Sequence, residues 1–212
     1  MLCDIDRCDA DDRAEHSDLG SLSSQHSQST VCAVPAMNLE FTVPPNLTFE
    51  QAIELTHEVL SADPSDDLLK SIVQSLIATP NGSRGFFVVF LTQDFPQANS
   101  PGLLEALRSN PEAISDLLTK NLAMPTAMAL THRRNGHEDL AANSDLTRSR
   151  TDRLIQQLNL PEIRSHLTEL HDTITEKRSN SWSAFLDRWG YDDDQRTAIG
   201  NVIKTALAVL PS

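Results

Sequence analysis

Cysteine is missing from the whole chain beyond Cys32. Neither a disulfide nor a thiolate metal site can therefore form over the rest of the sequence, as in a protein of a reducing compartment. The cysteines present, Cys3, Cys8 and Cys32, lack with His16 and His26 the paired ligand turns of a zinc knuckle. Long apolar runs are missing too, and none approaches the roughly 20 residues that cross a bilayer. The opening MLCDIDRCDADD is acidic where a signal peptide is basic and then apolar, so a cytoplasmic protein without membrane insertion is expected. The glycosylation-type triplets beginning at Asn46 and Asn81 then have no compartment in which to be used. Basic charge is scarce: 17 Lys and Arg face 30 Asp and Glu, a formal net charge of -13. Such a surface repels nucleic acid and anionic lipid, and neither is expected as a partner.

Signatures of catalysis are equally scarce. No serine sits in a nucleophile elbow, and no Gly-rich loop follows a strand and opens a helix to cradle phosphate. Asn81 to Gly85 places two glycines ahead of a strand-like segment, the reverse of a phosphate loop, and reads as a turn. His57-Glu58 lacks the second histidine of a zinc-protease helix. His166 and His171 are five apart, which turns them about 140° from one another on a helix. Asp192, Asp193 and Asp194 suit the N-terminus of a last helix, where negative charge favours the dipole. No cofactor and no metal are expected, and an enzyme is the less favoured reading.

What is present divides at Met37. Residues 1–36 are rich in Asp, Ser and Gln and hold no aromatic side chain, so they cannot offset the entropy of ordering and read as a disordered leader. They are either translated upstream sequence, with Met37 as the true start, or a regulatory tail. Residues 37–212 read as a single globular domain. Leu39, Phe41 and Val43 alternate with polar residues before Pro44-Pro45, the pattern of a short strand. Thr48 and Gln51 form a capping box for a helix with Phe49, Ile53, Thr56 and Leu60 on one face. Asp63-Pro64 opens a second helix, with Leu69, Ile72, Val73 and Leu76 facing a core and Pro80-Asn81-Gly82 as its stop. Residues 85–92, GFFVVFLT, are β-branched and aromatic on both faces and predict a buried strand beside Leu39–Val43. The second half reads as successive helices: one after Pro101, one capped by Asn110 and kinked or restarted at Pro125, one capped by Ser144, one from Pro161, a Trp182/Phe185/Leu186/Trp189 stripe, and one from Asp193. The expected class is mainly α (α+β): a multi-helix domain with one small two-stranded sheet. Its open strand edge would be covered by the chain's own helices, which favours a monomer over a dimer.

One cluster stands out in this acidic chain. Between His132 and Arg153, five of the 17 basic residues are all arginine: Arg133, Arg134, Arg148, Arg150 and Arg153. The guanidinium fork suits capture of carboxylate or phosphate, and Arg133, Arg134, Arg150 and Arg153 are the candidate anion- or partner-binding residues. The competing reading has Arg133 and Arg134 stabilise a helix C-terminus while the others pair with Glu138, Asp145 and Asp152.

The segments KNLAMPTAMALTHRRN, SRTDRLIQQL and FLDRWGYD, which begin at Lys120, Ser149 and Phe185, together resemble an uncharacterised family of oxygenic phototrophs. The likeness covers about the last 130 residues and leaves the leader outside. It implies a soluble protein on the cytosolic or stromal side, with no activity attached and no functional residue to carry over. The apolar content is organised for packing and the polar content for no chemistry. The expected function is that of a non-enzymatic helical protein binding another macromolecule, most naturally a protein, as an assembly or regulatory factor. The alternative is a small-molecule module whose arginines hold a phosphorylated or carboxylated ligand. A chain starting at Met37 is expected to melt at the same temperature as the full chain, and a drop of several degrees on truncation would show that residues 1–36 dock.

Overall fold

The computed structural model describes residues 41–211, and the expectations for residues 1–36 lie outside them. Every regular element among the described residues is an α-helix. They are α1 (Phe49–Ser61), α2 (Asp66–Ile77), α3 (Pro80–Thr92), α4 (Pro101–Arg108), α5 (Pro111–Arg134), α6 (Glu138–Leu158), α7 (Pro161–Glu176), α8 (Ser181–Arg188) and α9 (Asp193–Val209). None is long and apolar enough to cross a membrane.

The expected sheet does not form among the described residues. Residues 85–92 form the greater part of α3, and Phe41–Val43 pair with no strand. A short segment apolar on all sides is compatible with a central strand or a central helix, and here its first turn decides. Thr79 is extended, its hydroxyl accepts the Gly82 N–H at 3.1 Å, and Pro80 occupies the first helical position, where no N–H is needed. Asn81-Gly82, read as a turn, is therefore helical. Phe86, Phe87, Val89, Phe90 and Leu91 are all buried, and only Val88 of this run faces out. Tertiary burial on nearly every side overrides the β-propensity of the segment.

Gly85 is what lets α3 lie so deep. A Cβ there would stand 2.4 Å from the Ala52 Cβ of α1, so the two helices touch backbone to side chain. The end of α2 is closed by its neighbours: the Ile77 carbonyl accepts from Ser83 Oγ at 3.0 Å and from Asn110 Nδ2 at 3.2 Å. Asn110, expected to cap α5, makes no cap bond to its own helix and serves α2 instead. Helix carbonyls left without partners at a buried end are costly, which explains the diversion. The box at Thr48 and Gln51 forms as expected, and Asp192 with Gln195 forms another at the start of α9.

Two further corrections concern the long hairpin. Pro125 does not restart the helix: α5 runs through it for 24 residues. The loop after α5 is only residues 135–137, and Gly136 there has the positive φ of 73° that turns the chain. Ser144 is thus not a cap; it lies well inside α6, its hydroxyl donating to the Leu140 carbonyl at 3.1 Å. The polar composition of residues 138–147 hid the helix, because its support comes from α5 rather than from an apolar stripe of its own. Leu118, Leu122, Ile155, Ile163, Leu167, Leu170, Leu186, Ile199 and Ile203 complete the core around α5 to α9.

Gly85→Ala would ordinarily favour a helix, yet here it is expected to destabilise the protein by about 1–3 kcal/mol through overpacking against α1. Denaturant melts would show the loss, and Ala52→Gly in the same chain should recover most of it. A neutral Gly85→Ala would mean that α1 and α3 can separate freely.

Candidate functional site

The structure distributes the arginines over separate helix junctions. Arg133 pairs with Asp145 and approaches Glu138 at 3.9 Å, while Arg148 reaches the same Asp145 at 3.2 Å. Arg134 turns to α9 and bonds Asp192 and Asp194, each at 2.5 Å. Arg150 crosses to the end of α3, donating to the Leu91 carbonyl at 3.1 Å and pairing with Asp94. Arg153 is exposed and makes neither an ion pair nor a hydrogen bond among the described residues. Adjacent residues on a helix point about 100° apart, which is why Arg133 and Arg134 serve different partners. Asp152, an expected partner, accepts instead from Gln156 at 2.9 Å.

Sequence reasoning missed a groove. Ala113, Asp116, Leu117, Lys120, Asn121, Met124, Pro125, Met128 and His132 recur at helical spacing along α5, on a face separate from its buried Ile114, Leu118, Leu122 and Ala123. This second stripe is only half covered. In its first half it floors a cavity of about 1080 Å³ walled by α3 (Arg84, Phe87, Val88) and α8 (Trp182, Phe185, Trp189). In its second half it floors a shallower cavity of about 360 Å³ against Leu140, Asn143, Ser144 and Thr147 of α6. The two cavities share Asn121, Met124 and Thr147, so they adjoin. The signal was present in the doubled apolar periodicity of α5, but one sequence cannot tell which of two stripes a fold leaves open.

Exposed apolar side chains gather at the rim of this groove. Val88, Met128, Leu140 and Trp189 are 44%, 40%, 47% and 53% exposed, and all four line it. Trp189, read as the last member of an apolar stripe, is the most exposed of them. Two buried polar atoms in lining side chains, Trp182 Nε1 and His166 Nδ1, have no partner among the described residues, although His166 Nε2 and Glu112 Oε1 lie 3.1 Å apart. Trp182 packs edge-on against His166 and against Phe185, which in turn meets Tyr191 at 6.1 Å. Burial pushes the Tyr191 phenol up to about 12, so it stays neutral. Lys120 bonds Asp116 at 2.6 Å and lies 5.8 Å from the Trp182 ring centroid.

Among the described residues no three His, Cys, Asp or Glu side chains gather as a metal site. Residues 48–206, from the Thr48 cap into the last turns of α9, match the family model described as uncharacterised conserved protein UCP020893. The chain belongs to that family. No curated protein and no solved structure matches it significantly. The family match takes in the whole groove and every arginine of the cluster.

Asp145 supplies a test of the hairpin electrostatics. Its partial burial would raise its pKa, but hydrogen bonds and charge from Arg133 and then Arg148 hold it below the ordinary carboxylate value. A depressed folded pKa contributes stability above the unfolded value of about 3.9 and loses it as pH falls through the folded one. Arg133→Gln/Arg148→Gln leaves the burial and removes the cations, so carboxyl NMR should show Asp145 titrating at higher pH than in the wild type. An unchanged titration would mean that neither arginine acts on it.

Proposed function

We propose that this protein is a non-enzymatic binding domain that receives a segment of another protein in the groove along α5. The observation that carries the reading is the half-covered second stripe of α5, rimmed by Val88, Met128, Leu140 and Trp189. Apolar side chains that a fold holds exposed together, beside cavities, mark a surface completed by a partner. From Ala113 to His132 the stripe runs about 28 Å at helical rise, the shape of a track for a peptide rather than a pocket for one small molecule. Met124 and Met128 in its floor can adjust to the partner's side chains. An assembly or regulatory factor works in this way, and the proposal includes the cytoplasmic setting and phototroph affiliation expected for the chain.

A photo-crosslinking amino acid placed at Val88, Met128 or Trp189 in native cells should yield the same discrete adduct from each position. At Leu146 and Val209, which are also exposed but outside the groove, it should yield none. The same adduct from the control positions, or no adduct anywhere, would overturn the proposal.

The second reading, anion capture by Arg133, Arg134, Arg150 and Arg153, draws on Arg153, which has no partner among the described residues, and on the density of guanidinium groups. An anion at Arg134 would have to displace Asp192 and Asp194, and one at Arg150 would have to displace Asp94. Saturable, salt-sensitive phosphate binding by the wild type that disappears in Arg134→Ala/Arg150→Ala would support it; its absence from the wild type would retire it.

A further inference from the structure

Among the described residues most guanidinium groups are engaged by carboxylates or carbonyls, and three are not: Arg84, Arg153 and Arg188. Two of these three line the groove, Arg84 on the α3 wall and Arg188 on the α8 wall. Arg84 is positioned by the Phe49 ring, its guanidinium carbon 5.2 Å from the centroid, and that contact leaves its N–H groups unused. With Lys120 in the floor, the larger cavity carries three cations against the carboxylates of Asp116 and Glu169. In a chain of net charge -13, this is a local reversal of sign.

Resting on the groove reading, we propose that the occupant is an amphipathic helix of the partner, with an apolar face for the α5 stripe and Asp or Glu side chains at its flanks for Arg84 and Arg188. The dimensions fit this class: a track of about 28 Å accommodates about five helical turns, whose anchors at i, i+3, i+4 and i+7 repeat the spacing of the floor. The chemistry fits as well. Guanidinium groups on opposite walls take carboxylates in bidentate geometry, and the general acidity of the surface repels acidic segments that cannot reach them.

A displayed library of amphipathic helical peptides, with the flanking positions varied among acidic, neutral and basic residues, tests this on the full chain. The expected winners carry acidic flanks around an aliphatic face. They should bind Arg84→Glu/Arg188→Glu at least about tenfold more weakly than the wild type, and they should weaken as salt rises. Arg84→Gln/Arg188→Gln, with no reversed charge, should give a smaller loss in the same direction, and circular dichroism of both variants should match the wild type. Winners with neutral flanks that bind all three proteins alike would overturn the acidic helix and leave the groove standing. Winners indifferent to Val88→Asp/Met128→Asp would remove the groove itself. An empty selection, or a concentration-dependent dimer by light scattering that Val88→Asp/Met128→Asp abolishes, would overturn a helical peptide partner, the dimer in favour of a second copy of the chain.

Discussion

The two-sidedness of α5 is the constraint on which the second half of the molecule depends. One face, with Ile114, Leu118, Leu122, Ala123 and Ala127 fully buried, is the surface against which α4, α6, α7 and α9 pack. The other face mixes Leu117, Met124 and Met128 with Asp116, Lys120 and Asn121, and its neighbours only half cover it. Uninterrupted passage through Pro125 carries both faces along all 24 residues of the helix, and Thr126, whose hydroxyl donates to the Leu122 carbonyl at 2.7 Å, helps to tie that turn.

Polar groups in this fold act mainly at helix junctions. Asn110 and Ser83 close the end of α2, and Arg108 reaches the Gln157 and Leu158 carbonyls at the end of α6. Arg164 bonds the Leu207 and Leu210 carbonyls at the end of α9, and Arg150 the Leu91 carbonyl of α3. Cations at helix C-termini satisfy orphan carbonyls and complement the dipole in one contact. This recurrence gives a physical reason for arginine rather than lysine at such positions, since a planar fork can bond two acceptors at once. Against that background Arg84 and Arg188, like Arg153, stand apart in having no hydrogen-bond or ion-pair partner among the described residues.

The aromatic side chains divide the same way. Phe86 and Phe90 stack within the core at 5.2 Å, and Phe87 meets Phe86 edge-on. Trp182 is buried but keeps its Nε1 unbonded, and Trp189 stands open to solvent beside it on α8. Unpaired polar atoms in a buried indole and exposed area on its neighbour both cost stability in isolation. Both lie along one groove, which is where a protein that functions by contact retains such costs.

The sequence by itself determined the helices whose caps and apolar stripes agree. The Thr48–Gln51 box, the α2 stripe through Leu69, Ile72, Val73 and Leu76, the start of α7 at Pro161 and the acidic opening of α9 follow from hydrogen-bond chemistry between near neighbours, which is local. Tertiary structure decided the remainder. Whether GFFVVFLT became strand or helix depended on burial from nearly every side and on the contact that Gly85 permits with Ala52, which lies 33 residues earlier and outside the segment's own periodicity. The first turns of α6 form because α5 folds back over them, not because residues 138–147 favour a helix. The fate of each arginine was settled by which helix end or carboxylate came within reach. Which stripe of α5 stayed open was settled by how many neighbours the fold could bring to it, a long-range property that periodicity along one helix does not encode.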